Sequence, residues 1–556
     1  MSKKYYIFDS DALINFHKRI FFSVIIFLFV FLVAFYRIAD VMLLEKSINI
    51  SNDTKQITER GNIYDRNGNL LSTTINSYSL SANPKSLKNK KLISEKLSLI
   101  ISRPEEEIFN LLNENKSFVW LKRNISPKEH QAIIDLGEVS LKTEHTKEEE
   151  IKRIYPHGNI SSHVVGYVDI DGNGLAGIER GLNETLSKGK DVYLSIDIRL
   201  QSAFREELKK TIDKFSADSG SIVAIDITTG EIIALSSFPD FDPNNRKTFT
   251  ENNKLNRIIG GNYEMGSTFK PITVAMGIDM NIINSETSFD VSKPIKRGKI
   301  TINDFNPHNG FFTSKEIVVN SSNIGAAKIA NKIGKKNQIN FFKKIGFYEK
   351  IELEIIESVK PYTNPNHWGE IETMTIGYGH GFMVTPLHLI SAYASLINDG
   401  KRLNPTFLKD NIEINKTQII KHETSDYFIK LLRAVVLETE YTGPRVKIEG
   451  YEIGGKTGTA ELINESGLYQ KNMNLTSFIG VFPTSRPKYI VLAMIENPKK
   501  IKEENYNITG ASVAAPLVKN IISRMIEILS IPRSNSIEIL KADISPEYIK
   551  NHNVTF

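Results

Sequence analysis

The sequence predicts an α+β protein: a domain with a largely antiparallel sheet packed with helices, behind a separate first region and one N-terminal membrane helix. Three observations predict it. A continuous apolar run stands near the N-terminus. Strand patterns fall near both ends of residues 195–532. Helical periodicities fill the space between and after them.

The apolar run, Ile20 to Tyr36, has Ser23 as its only clearly polar member. Its length is at the short end for a bilayer span, and it extends to Leu44 if Arg37 snorkels. No small-x-small cleavage pattern follows, so a retained anchor is expected over 20–44. Lys3, Lys4, Lys18 and Arg19 precede it, which places residues 1–19 in the cytoplasm by the positive-inside rule.

Residues 45–190 form the first region beyond the anchor. Asp65-Arg66-Asn67-Gly68 is hairpin chemistry between apolar stretches. Lys90 to Ile101 and Pro104 to Asn113 carry helical spacing, and glycines at Gly158, Gly172, Gly174 and Gly177 mark turns. In the second region, 195–532, Ile198 to Phe215 reads as a helix. Ser221–Asp226 and Glu231–Leu235 read as strands joined by the Ile227–Gly230 turn. A helix follows over Ser267–Met280, then strands over Thr476–Phe482 and Tyr489–Glu496, and a helix over Val513–Leu529. Residues 533–556 are polar and read as a loose tail.

Composition excludes several functions. The 556 residues contain no cysteine, which removes disulfides, thiolate catalysis and Cys-based metal sites. Eleven His residues show no H-E-x-x-H spacing and no P-loop occurs, so neither a metal nor an organic cofactor is expected. The net charge of +6 is spread along the chain, with no basic stripe to mark nucleic-acid binding.

Three short motifs carry the chemistry: Ser267-Thr-Phe-Lys270, Ser321-Ser-Asn323 and Lys456-Thr457-Gly458. Singly they are weak. S-x-x-K recurs at Ser187 and Ser485, and S-x-N at Ser47 and Ser81; K-T-G alone is unique. Ser267 opens a helical pattern, so Lys270 at i+3 shares its face and the helix N-terminus lends positive charge. Taken alone, Ser267 could be a plain N-cap. A serine hydroxyl needs a base, and Lys270 can serve only if neutral; burial and a nearby cation, Lys456, both act in that direction. Ser321 can relay a proton to a leaving amine, and Asn323 can orient Lys270 and a substrate amide. Lys456–Thr459 is expected on an edge strand, where Thr457 and Thr459 can bind a carboxylate and Gly458 lets a substrate backbone approach. The N–H groups of Ser267 and Thr459 would form an oxyanion hole.

With their flanks, these motifs resemble a family. Asn256 to Pro271 (NRIIGGNYEMGSTFKP), Val319 to Lys328 (VNSSNIGAAK) and Gly454 to Ala460 (GGKTGTA) are similar to the class B penicillin-binding proteins. So are R-G-N-I-Y-D-R-N-G at Arg60–Gly68, R-I-Y-P-H-G at Arg153–Gly158 and G-N-G-L-A-G-I-E at Gly172–Glu179, which match that family's N-terminal pedestal. The resemblance covers nearly the whole length. It implies a pedestal of the dimerisation type over 45–190 and a transpeptidase domain over 195–532.

The implied activity is D,D-transpeptidation of peptidoglycan stem peptides ending in D-Ala-D-Ala, through an acyl-serine and without cofactor, with β-lactams as inhibitors. Gly379 to Leu387 (GHGFMVTPL) resembles the division-specific, FtsI-type branch. That branch implies the inner membrane at the septum, with a catalytic domain in the periplasm. Its partners would be an FtsW-type glycan polymerase and other division proteins. The alternatives are the elongation branch, a β-lactamase, and a penicillin-binding sensor or scaffold. Ser322 stands where class A β-lactamases have Asp, and no catalytic motif residue is missing.

Overall fold

The computed structural model describes residues 10–43, 59–143, 151–362, 368–410, 417–463, 468–501 and 507–533. The tail expected over 533–556 lies outside them except for Arg533. The chain divides into two units, residues 1–58 and residues 59–556.

The first unit contains helix α1, Ser10–Leu43. Its stretch Lys18–Arg37 is 20 residues long with a mean hydropathy of 2.5. At ~1.5 Å per residue that covers the ~30 Å of a bilayer core. The helix is long and apolar enough to cross a membrane, as the sequence led us to expect.

The second unit begins with the pedestal. Strands β1 (Ile63–Tyr64) and β2 (Leu70–Asn76) form the expected hairpin. Asp65 builds its turn: its carboxylate accepts from the N–H groups of Asn67 and Asn69, both at 2.8 Å. Strand β3 (Tyr78–Ala82) then leads into helices α2 (Lys90–Ile101) and α3 (Glu105–Leu112), strand β4 (Val119–Ile125), helix α4 (Pro127–Asp135) and strand β5 (Leu141–Lys142). β3 lies between β4 and β5, and Leu80, Leu97, Ile108 and Leu121 form a small separate core under the helices. Strand β6 (Ile151–Ile154) pairs with β2, and β1 pairs in parallel with β7 (Val192–Tyr193), closing a sheet of order β6-β2-β1-β7.

One buried ion cluster binds the three pedestal motifs together. Glu179 is fully buried and accepts from Arg60 Nε and Arg153 Nε, each at 2.7 Å, and from Ser72 Oγ at 2.9 Å. Arg153 also donates to the carbonyl of Gly61 at 2.8 Å. The recurrence of Arg and Glu in these motifs is thus a matter of charge balance inside the fold. A buried carboxylate is tolerated only when paired and fully hydrogen-bonded, and here two guanidiniums do both.

The larger domain holds a five-stranded antiparallel sheet. After helix α5 (Ile198–Phe215) come β8 (Ser219–Asp226) and β9 (Ile232–Phe238), joined by the expected turn. Four helices follow that matter here: α6 (Phe269–Asp279), α7 (Asn323–Ile333), α8 (Pro386–Ile397) and α9 (His422–Glu438). The sheet is completed by β10 (Gly454–Ile463), β11 (Tyr469–Phe482) and β12 (Tyr489–Glu496), before helix α10 (Ala514–Ile528). Sheet order is β9-β8-β12-β11-β10. Side chains alternate between its faces. Ile222, Ala224, Val491 and Ala493 pack with Phe204 of α5 and Ile521 of α10. Val223, Ile225, Ile490 and Leu492 face the other core with Phe269, Leu389 and Leu432.

Element boundaries differ from expectation in places: β8 begins at Ser219 and β9 runs on to Phe238. β11 begins at Tyr469 and not near Thr476, because its first residues pair out to Ile463 in a polar hairpin extension with no apolar alternation. The helix expected from Ser267 begins at Phe269, preceded by a 3-10 turn over Gly266–Thr268.

Removing the shared carboxylate tests the pedestal cluster. Glu179→Ala leaves two buried guanidiniums without a counter-charge and should cost about 3–5 kcal/mol, seen as a lower apparent melting temperature. Wild-type melting would show that the cluster does not hold this region together.

Candidate active site

The three motifs meet at one place. The 3-10 turn presents Ser267 at the entry to α6, and Lys270 follows in the first turn, where Pro271 has no intrahelical N–H to lose. α6 is buried on all sides from Phe269 to Gly277, so the turn is carried on the central helix of the domain.

Lys270 Nζ lies 2.9 Å from Ser267 Oγ, 3.1 Å from Ser321 Oγ and 2.5 Å from the carbonyl of Ser321. Lys456 Nζ lies 3.1 Å from Ser321 Oγ on the other side. Ser321 therefore stands between two lysines. Its φ is +57°, in the left-handed region that non-glycine residues adopt only at a cost of about 1 kcal/mol or more. Ser322 is the N-cap of α7, its hydroxyl accepting from the Gly325 N–H at 2.9 Å. Asn323 does not reach Lys270; it donates to the carbonyl of Asn303 at 2.9 Å.

Both lysines are buried, with 0% and 1% exposure. Burial, reinforced by the charge of Lys456, holds Lys270 well below the usual lysine range, against a smaller opposing pull from Asp304. Burial pushes Lys456 down to about 7. The depressed Lys270 that the sequence led us to expect has its first cause in desolvation and its second in the other cation.

Lys456–Thr459 lies on β10, the edge strand of the sheet, as expected. Thr459 is exposed, and its Oγ1 accepts from the Gly510 N–H at 3.0 Å. That bond leaves the hydroxyl proton free to donate outward. Gly458 has a different reason from the one expected. A Cβ there would stand 2.3 Å from Ser477 Oγ and 2.9 Å from the carbonyl of Met265. The glycine thus lets the nucleophile turn pack on β10, inside the protein and not towards a substrate.

Sequence reasoning gave no catalytic part to the stretch that supports this turn. Tyr263-Glu264 pairs with Met383-Val384, and the Gly266 N–H donates to the carbonyl of Gly379 at 3.2 Å. Gly379 has φ +87°, and a Cβ there would lie 2.1 Å from the carbonyl of Gly266. Glu264 accepts from the Gly381 N–H at 2.7 Å and from Tyr469 Oη at 3.0 Å. Burial raises its carboxyl above the usual range. The G-H-G sequence was the available signal: a loop that must come within contact of another backbone. Among the described residues no group of three or more His, Asp or Glu side chains could hold a metal ion.

Comparison with known proteins agrees with this geometry. Residues 220–523 match the penicillin binding protein transpeptidase domain, and residues 55–194 match the penicillin-binding protein dimerisation domain. The probable peptidoglycan D,D-transpeptidase FtsI of Caulobacter vibrioides is 32% identical over 496 residues, covering 86% of this chain and 82% of that one. The probable peptidoglycan D,D-transpeptidase PenA of Neisseria meningitidis is 30% identical over 506 residues, 85% of each. Penicillin binding protein 3 of Mycobacterium tuberculosis, solved with aztreonam, shares the fold: TM-score 0.68 and 22% identity over 86% of this chain and 98% of that one. The chain belongs to the class B penicillin-binding proteins, transpeptidases in which a dimerisation-type pedestal precedes the catalytic domain.

Gly458→Ala should lower stability by about 1–3 kcal/mol through overpacking. Adding Ser477→Ala should recover only part of the loss, because the carbonyl of Met265 remains in the way. Full recovery in thermal melts of the double variant would contradict the packing described for this turn.

Proposed function

We propose that this enzyme cross-links peptidoglycan stem peptides through an acyl-Ser267 intermediate. The observation that carries the reading is the unbroken line Ser267 Oγ, Lys270 Nζ, Ser321 Oγ, Lys456 Nζ, with steps of 2.9, 3.1 and 3.1 Å. Neutral Lys270 takes the Ser267 proton as Oγ attacks the carbonyl between the two terminal D-alanines. The N–H groups of Ser267 and Thr459 hold the oxyanion. The proton passes by way of Ser321 to the amine of the departing D-alanine. An amine of a second strand then attacks the ester and gives a proton to Lys270, which passes it to Ser267 Oγ as that oxygen leaves; a new amide bond forms, and the serine hydroxyl and neutral Lys270 are restored. Thr457 and Thr459 receive the terminal carboxylate of the substrate, and Lys456 supplies positive charge beside it. Asn323, bonded to Asn303, serves the substrate amide and the shape of the turn.

The same Ser267 would open β-lactams and release the product slowly. We place the catalytic domain at 195–532 and the pedestal at 45–190. The anchor at 20–44 would hold both on the periplasmic side of the inner membrane. The motif GHGFMVTPL and the similarity to proteins named FtsI favour a septal role beside an FtsW-type polymerase and other division proteins.

Intact mass of the full-length protein in detergent after penicillin treatment should rise by one drug molecule in wild type and not in Ser267→Ala. Because Lys270 reacts as the neutral amine and burial lowers its pKa, acylation should be lost at low pH. It should rise with pH through a limb well below the ordinary lysine value of about 10.4. An adduct on the variant, or a limb near that ordinary value, would overturn this assignment. Depletion in cells should give filaments; rounded cells would assign the enzyme to elongation.

A further inference from the structure

One carboxylate beside the catalytic side chains has no part in the steps above. Asp304 follows the short hairpin of Ile295–Arg297 and Ile300–Ile302, exposed over residues 296–301 and buried at Ile302. Its Oδ2 accepts from Ser322 Oγ at 2.7 Å, and its Oδ1 accepts from the Ile324 N–H at 2.9 Å. Ser322 and Ile324 flank Asn323 at the start of α7. The carboxylate thus caps that helix from outside, beside the cap Ser322 supplies from within.

The residue just before this clamp is Ser321, the left-handed serine between the two lysines. A strained non-glycine conformation persists only where its surroundings over-determine it. The Ser321 N–H is held by the carbonyl of Val318 at 3.3 Å and the Ser322 N–H by that of Ile317 at 3.0 Å. Those bonds fix the side of the turn that comes from the preceding helix. Asp304 fixes the other side.

We infer that Asp304 is a positioning residue for acyl transfer: it clamps the Ser321–Asn323 turn so that Ser321 Oγ stays between Lys270 and Lys456, and it is the negative charge that faces Lys270. The inference rests on the acyl-serine reading. The charged and titratable groups around Lys270 come from three elements. Lys456 faces it from β10 and Asp304 from the segment after that hairpin. His380, on the loop beside the nucleophile turn, is held neutral by burial, at about 4. Of these, only Asp304 favours a charged Lys270. The clamp therefore has two separable effects. Its hydrogen bonds place Ser321, and its charge limits how far Lys270 is pushed towards the neutral form.

The test measures acylation of full-length protein by fluorescent penicillin across pH. Asp304→Asn keeps an acceptor for the Ile324 N–H and offers an N–H to Ser322 Oγ, so the turn is held while the charge is lost. Losing a negative neighbour lowers the Lys270 pKa further. The acidic limb should move to lower pH by about 1 unit. Asp304→Ala loses both bonds, and its plateau rate should fall roughly 10- to 100-fold in protein whose melting curve shows it folded. An unmoved limb in Asp304→Asn overturns the charge effect. A wild-type plateau in folded Asp304→Ala overturns the clamp. If Asp304→Ala does not fold, Ser322→Ala replaces it, removing the bond to Asp304 and the cap bond from Gly325, and no charge: a lower plateau with an unmoved limb supports the clamp, and a wild-type plateau overturns it. No acylation of wild type would remove the acyl-serine reading and this inference together. Normal wild-type acylation with unchanged variants removes the inference alone.

Discussion

Two lysines buried against one serine hydroxyl set the terms for the rest of this site. Neither ammonium has a carboxylate within bonding distance among the described residues, and both lie out of reach of water. Burial disfavours charge on each, and each charge disfavours the other. A pair of this kind is costly to fold, and it persists because a large, well-packed domain surrounds it. Its use is the availability of a free amine at a pH where an ordinary lysine is fully protonated.

The surroundings show how that arrangement is enforced. Ser267 lies in the turn just before, and Lys270 in the first turn of, a helix with no exposed face over its first nine residues. Lys456 comes from an edge strand nearly two hundred residues later, and Ser321 from a strained turn between two helices. The turn at Ser267 is held by close backbone contact: it packs on Gly458 of β10, and the Gly379 loop packs on it. Shifts of one ångström at such contacts move reacting atoms out of line, which is why small residues and not large ones line these supports.

Much of this was legible in the sequence, and the pattern of what was legible is informative. Lys90–Ile101, Ile198–Phe215 and Tyr489–Glu496 emerged with the bounds the periodicity gave them, because each has one dominant repeat. The S-x-x-K, S-x-N and K-T-G residues could be found because they stand as three short motifs with recognisable flanks. Asp304 could not. It is one Asp among many on a polar segment, and its importance comes from a fold that brings it to Ser322. Glu264 and Glu179 stood inside recognised motifs, but their parts were not legible, since a carboxylate looks the same in a sequence whether it is solvated or shut inside with its partners. The reason for Gly458 was misread because a strand position does not reveal which side its neighbour approaches from.

The order of the sheet has a consequence for the life of the polypeptide before it is an enzyme. β8 is bordered on one side by β9, its hairpin partner, and on the other by β12, with Ser219 opposite Glu496. Pairings of such sequence separation form late and slowly. Until synthesis has passed β12, the central sheet is open and β10, with Lys456 on it, has no completed sheet to border. A half-emerged chain that ends before β10 therefore carries Ser267 and Lys270 without Lys456. Completion of the chain is itself the event that brings the three motifs together.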